Sequence, residues 1–211
     1  MQQIGGVLIR SILCAVIAGV ITPAFAQYPQ RAVKVVVPFP AGGATDLLAR
    51  AIAQGLGTAL GQPLVVDNRA GAGGTLGSAE VAKAAADGHT LLIATSSTHS
   101  IAPHLNASLA YNAESDFTPI TQVATATNVL LVPKDLPVTT VKDFIAYLKA
   151  RPGQLNYATS GNGTIVHLTT EAFKAQAGVF VVHIPYRGTA LAIPDLVSGK
   201  VHLLFDSVVS G

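Results

Sequence analysis

Beyond residue 26 the chain alternates short apolar runs with longer stretches of helical period. Val33-Lys34-Val35-Val36-Val37 is β-branched and ends at Pro38, which predicts a strand. From Asp46 to Leu60, Leu48, Ile52 and Leu56 recur about one turn apart and predict a helix facing a core. Pro63 to Asp67 reads as a second strand, Thr75 to Ala86 as a second helix and Thr90 to Thr95 as a third strand. Residues 98–117 carry no clear period, and Ile120 to Pro133 suggests a strand pair or one long bent strand. Thr140-Val141-Lys142-Asp143 has the spacing of a capping box, and Val141, Phe144, Ile145 and Leu148 continue from it as an apolar stripe. After Pro152-Gly153 come a strand at Leu155 to Thr159, a helix at Ile165 to Ala177 and a strand at Val181 to Ile184. A last helix near Leu191 to Val197 leads into a strand at Val201 to Asp206.

Strands alternating with helices imply an α/β protein with a mainly parallel sheet covered on both faces. The composition shifts little along the chain, so a boundary rests on connectivity. It falls at about Ala124 to Thr127, giving one part over residues 27–125 and another over 126–211.

Residues 1–26 have a different character. Arg10 is their one charged side chain, an uncharged apolar run spans Ser11 to Thr22, and Ala24-Phe25-Ala26 offers small residues before Gln27. That order predicts a secretory signal peptide cut after Ala26. The run is shorter than the roughly 20 apolar residues a membrane span needs. Cys14, the one cysteine, follows Leu13 in mid-run, a poor setting for lipidation, and its loss leaves the mature chain with neither disulfides nor thiolate metal ligands.

Setting Arg10 aside leaves twelve Lys/Arg against eleven Asp/Glu, scattered without the basic stripe that nucleic-acid binding requires. Half of all residues are apolar and only 11% are charged, enough for a sizeable core.

Three strand-to-helix junctions are built from small residues: Pro38 to Asp46, Asn68 to Thr75, and Ala158 to Thr164. Such a turn bares backbone amides at a helix start, where the helix dipole adds partial positive charge and an anion is favoured. One such turn can be tight geometry alone; three, two Gly-rich and one also hydroxyl-rich, favour a ligand cleft at the strand ends. None ends in the Gly-Lys-Ser/Thr of a P-loop, and the partial dinucleotide fingerprint at Gly71 to Gly77 has Leu76 where it needs glycine. There is no Gly-x-Ser-x-Gly elbow and no His-Glu-x-x-His motif. His167 and Glu171 sit four apart, but such a pair is more often a surface or capping contact than half of a metal site.

The ordered motifs resemble the Bug family, the TctC-like substrate-binding proteins of tripartite tricarboxylate transporters. The carriers are Val36 to Gly43 with Asp46 and Arg50, then Asp67 to Gly74 and Ala86 to Thr90. Tyr157 to Thr164 with His167, Pro185 to Gly188, Asp195 to Val201 and Phe205-Asp206 complete them. The resemblance implies a two-lobed periplasmic-binding-protein type II (Venus flytrap) fold that closes on a small carboxylate. It implies a first lobe lined by Phe39, Ala41, Gly42, Gly43 and Asp46, with Ser97 and Thr98 as weaker candidates. Ser160, Gly161, Asn162, Gly163 and Thr164 would line the second lobe, and Asp206 could accept a hydrogen bond from ligand or water. The protein is then expected to be a periplasmic binding protein rather than an enzyme, with no cofactor and no metal. Its partners would be the carboxylate and the membrane components of the transporter, and at full length it would be a monomer. The rival expectation is an α/β enzyme that holds a phosphate-bearing cofactor or substrate.

Two departures stand out. Pro194 falls inside the last helix, where it is tolerated only in the first turn. Relatives also continue past the equivalent of Gly211, so a return of the chain to the first lobe is expected to be absent here, leaving that lobe weakly closed.

Overall fold

Val33–Val37 (β1) is the middle strand of a parallel sheet ordered β2-β1-β3, with β2 at Leu64–Asn68 and β3 at Thr90–Leu92. In this computed structural model, which describes residues 28–210, Val35 lies beside Val66 on one side and Leu91 on the other. The leader expected over residues 1–26 lies outside the described residues. All four valines of β1 are buried, as befits a strand with neighbours on both edges and helices on both faces. Lys34 is the exception, and its ammonium leaves the sheet to meet Asp67 at 2.9 Å and Glu80 at 2.7 Å.

Helix α1 (Ala44–Leu60) covers the face carrying Val35 and Val37. Its rotation departs from the expected stripe. Asp46, Ala49 and Ala53 are buried, Leu48 and Ile52 are half-buried, and Leu56 is 41% exposed. The Asp46 carboxylate bonds Asn68 at the end of β2, so the helix turns its 46-49-53 stripe to the sheet, and alanine lets the backbones approach closely. Helix α2 (Thr75–Ala82) stops four residues before the expected Ala86. The Asp87 side chain accepts from the His89 amide and Gly88 is left-handed, a local turn that competes with further helix.

The second sheet has the order β4-β7-β5-β6, from Asn128–Leu131 (β4), Asn156–Thr159 (β5), Val182–Pro185 (β6) and Leu203–Ser207 (β7). β4 runs antiparallel to β7, while β5 is parallel to both β6 and β7. Successive residues of β5 and β7 point to opposite faces. Tyr157 and Leu203 pack with Phe144 and Leu148 of α4 (Val141–Lys149), whereas Ala158 and Leu204 pack with Ala192 and Leu196. The Thr140 hydroxyl accepts from the Asp143 amide at 3.1 Å, the hydroxyl half of the predicted capping box, while the Asp143 carboxylate takes the Thr140 hydroxyl proton instead of the Thr140 amide. Val141, however, is 56% exposed. α5 spans Ile165–Ala177, and α6 (Ile193–Val197) follows a 3-10 turn at Thr189–Leu191 with Pro194 in its first turn. No helix among the described residues is long and apolar enough to cross a membrane.

Of the strand expected within Ile120 to Pro133, only Asn128–Leu131 pairs. β7 offers partners to those four residues, and the preceding stretch runs exposed, with Ile120 at 76%. A turn the sequence did not signal lies at Ser97–Ile101, a π-helical turn that leads into α3 (Ala102–Leu105).

The first sheet has the thinner core. Its buried cluster holds Val35, Val37 and Ala49, against six buried residues on each face of the second sheet. β3 is half-exposed throughout and, among the described residues, pairs only with β1. Local opening free energy follows buried apolar contact. Amide exchange measured by mass spectrometry is therefore expected to be at least tenfold faster for β1 and β3 than for β5. Equal protection would refute this.

Candidate functional site

Five loops at the ends of these strands meet. The first follows β1. Gly42 is left-handed at φ +85°, and Gly43 caps α1 without a side-chain bond. The N–H groups of Ala44 and Thr45 consequently find no acceptor among the described residues, as expected for the first turn of a helix. Asp46, only 2% exposed, holds this loop. One carboxylate oxygen accepts from the Gly42 amide and Arg50 Nε, both at 2.9 Å, and the other from Asn68 Nδ2 at 2.9 Å. Asn68 Nδ2 also donates to the Phe39 carbonyl at 3.0 Å. Burial opposes ionisation of Asp46, but the bonds from Arg50, Gly42 and Asn68 outweigh it and keep the carboxyl below its usual range.

The second loop follows β2 and passes through Ala72, Gly73 and Gly74 in succession with φ of 48°, 66° and 95°. Three left-handed residues in a row bring this backbone against its neighbours. A Cβ on Gly74 would stand 2.7 Å from Thr98 Cγ2 and 3.0 Å from the Phe39 ring. The third loop is the π-helical turn. Thr98 is fully buried, its hydroxyl donating to the Thr95 carbonyl and its own carbonyl accepting from Tyr111 Oη at 2.6 Å.

The fourth loop joins β5 to α5. Gly161 N–H donates to Thr159 Oγ1, Ser160 Oγ donates to Thr164 Oγ1, and Thr164 Oγ1 donates to the Gly161 carbonyl. Thr164 also caps α5 by accepting from the His167 amide, and Gly163 N–H donates to His167 Nδ1 at 3.1 Å. The amides of Asn162 and Val166 have no acceptor among the described residues. In the fifth loop, after β6, Tyr186 Oη donates to Asp195. Burial, reinforced by Asp195, pushes that phenol up to about 12.

The loops of the two sheets touch directly. Ser97 Oγ accepts from the amide of Ile165, the first residue of α5, at 3.0 Å. A Cβ on Gly73 would lie 3.1 Å from Thr164 Cγ2 and 3.3 Å from the Asn162 carbonyl. One on Gly161 would lie 3.4 Å from Gly73 N, one on Gly163 3.3 Å from Leu105, and one on Gly43 3.9 Å from Ala190. Closest of all, one on Gly188 would lie 2.3 Å from Pro40 Cδ. Phe39, Gly43, Ser97, Thr98 and residues 160–164 therefore border one seam. Ala41 and Gly42 are exposed beside it. Asp46 faces into its own loop, and Asp206 accepts from the Ser207 amide and Ser210 Oγ. Gly73, Gly74, Pro40 and Gly188 join the seam although no single residue among them signals this. The second glycine-rich junction did mark the stretch containing Gly73 and Gly74.

The seam presents backbone N–H at the starts of two helices, and among the described residues no lysine or arginine side chain bonds those amides' loops at the seam. That is chemistry for a compact anion held by directed hydrogen bonds. Among the described residues no three His, Cys, Asp or Glu could share a metal ion. The Glu171 carboxylate is shared between Tyr157 Oη and Lys174 Nζ.

The fold is that of the α/β periplasmic binding proteins. The chain belongs to the tripartite tricarboxylate transporter receptor family, whose profile matches residues 48–210. It is 41% identical over 186 residues to protein BugT of Bordetella pertussis, covering 87% of this chain and 57% of BugT. The structure of R. palustris Rpa4515 with adipate superposes with a TM-score of 0.83 at 43% identity, over 86% of this chain and 60% of that one. MatC from Rhodopseudomonas palustris, with bound malate, gives 0.81 at 37% identity, over 87% of this chain and 62% of that one. The chain thus spans little more than half the length of BugT and about three fifths of the two solved chains.

Proposed function

We propose that the protein captures a small organic carboxylate in the periplasm and delivers it to the membrane components of a tripartite tricarboxylate transporter, without chemical conversion. The observation that carries this reading is the pair of helix starts along one seam, where the amides of Ala44 and Thr45 and those of Asn162 and Val166 find no acceptor among the described residues. Residues 27–125 and 126–211 act as two lobes, and the seam between their loops is the ligand cleft. Ser97 occupies the Ile165 amide that a carboxylate oxygen can take in its place. The adipate and malate held by family relatives support a dicarboxylate of similar size.

A thermal-shift series with succinate, malate, adipate, glutamate and benzoate, against ATP and NAD, tests this. At a hundredfold excess over its Kd a ligand stabilises by about 2.7 kcal/mol, which is readily seen. At least one carboxylate is expected to raise the melting temperature and neither nucleotide to do so. Stabilisation by nucleotides alone would overturn the reading.

A further inference from the structure

The loop from Ser160 to Thr164 is braced from behind by two imidazoles. Gly163 N–H points at His167 Nδ1, so that nitrogen carries a lone pair and the ring proton sits on Nε2. Thr159 Oγ1 accepts from Gly161 N–H and shares a hydrogen bond with His183 Nε2, 2.7 Å away. The rings of His167 and His183 stack at 4.4 Å, and Tyr157 stacks on His183 at 4.7 Å. The Gly161 and Gly163 amides that flank Asn162 are thus held from behind, one by a hydroxyl bonded to His183 and the other by His167 itself.

We propose that His167 is a positioning residue: its Nδ1 accepts from Gly163 N–H at 3.1 Å and so sets the 160–164 loop for carboxylate capture. This rests on the carboxylate-binding reading above. The groups facing the pair are the Tyr157 ring from β5, His183 from β6, and Glu171 and Lys174 on α5 itself. Burial holds His183 below the usual histidine range, and the His167 ring beside it and the Lys174 charge act the same way, against Glu171. His183 therefore stays the neutral neighbour of the pair.

Calorimetry with malate and adipate at pH 8 tests this role. His167→Leu, with no acceptor for Gly163 N–H, is expected to lose at least fivefold in affinity. His167→Asn places an amide oxygen where Nδ1 stands and is expected to recover most of that loss. Unchanged affinity in His167→Leu overturns the proposal, as does a loss in His167→Asn equal to that in His167→Leu.

A ligand-free measurement keeps the two readings apart. By amide exchange followed in proton–nitrogen NMR spectra, Gly163 N–H is expected to exchange at least tenfold faster in His167→Leu than in the wild type, and His167→Asn to restore its protection. Equal exchange in all three overturns the positioning role whether or not an acid binds. Faster exchange in His167→Leu, with no acid bound, sustains that role and removes carboxylate capture instead.

Discussion

Gly188→Ala is expected to cost at least tenfold in carboxylate affinity, about 1.4 kcal/mol, while leaving the unliganded protein nearly as stable as the wild type. The new methyl would lie 2.3 Å from Pro40 Cδ and 2.7 Å from Cγ, where carbon atoms normally keep about 3.5–4.0 Å. Pro40 cannot swing aside, because its ring is tied to the backbone. Nor is there conformational strain at Gly188, whose φ of 160° and ψ of 153° suit any residue. The clash is therefore purely between loops of the two sheets, and it is relieved when they part. In the proposed capture the liganded state needs them together and bears the cost, within the 1–3 kcal/mol typical of overpacking. Gly55→Ala is the matched control, since its Cβ would meet nothing within 4 Å. Inside α1 it should stabilise the protein by about 0.5–1 kcal/mol. Unchanged affinity in Gly188→Ala would show that the Pro40 contact plays no part in capture.

Asp46→Ala carries the largest expected loss of stability, on the order of 3 kcal/mol. It strands the Gly42 amide, the Asn68 side-chain amide and Arg50, and hydrogen bonds to a charged group contribute about 1.5–3 kcal/mol each. For a chain of this size the melting temperature should fall by roughly 6–12 °C. Asn is no remedy, because its NH2 would face a donor. Acidity tests the same network. The folded-state pKa of Asp46 is lowered, so its contribution is present above the ordinary carboxyl value of about 4 and disappears as pH falls through the lowered one. The gap in melting temperature between wild type and Asp46→Ala should thus be full at pH 7 and shrink below about pH 4. A gap that is constant with pH would mean that the carboxylate charge is not what holds the loop.

Local chemistry was the part of the fold most legible in the sequence. The β-branched run of β1, the Thr140 cap and the glycine-rich strand-to-helix junctions each depend on neighbours within a few residues, and each is found where the pattern places it. The rotation of α1 was not legible, because it is set by Asp46 reaching Asn68, 22 positions away. Leucine spacing alone pointed to a different face. Ile120 and Val123 gave a strand-like pattern, but a strand exists only where another supplies its partners, and the pairing with β7 ends at Asn128. The site was legible as loops and not as contacts. Ser97 meeting Ile165, and Pro40 meeting Gly188, join residues 68 and 148 positions apart whose side chains carry no distinguishing chemistry. Tyr111, which holds the π-helical turn through the Thr98 carbonyl, lay in a stretch without period.

The left-handed passage through Ala72, Gly73 and Gly74, together with the bare helix starts, has a bearing on how this surface can diversify. Under the proposed carboxylate capture, a socket made of main-chain N–H has no side chain to exchange, so it would accept a carboxylate group as such and could not be tuned to one acid over another. Substitutions at its glycines abolish it instead of altering its taste. Any preference for chain length, hydroxylation or a second charge must be written in the residues that frame the socket. A protein that captures acids in this proposed way separates two tasks that many binding sites combine, a fixed grip on one end of the molecule and an adjustable reading of the rest.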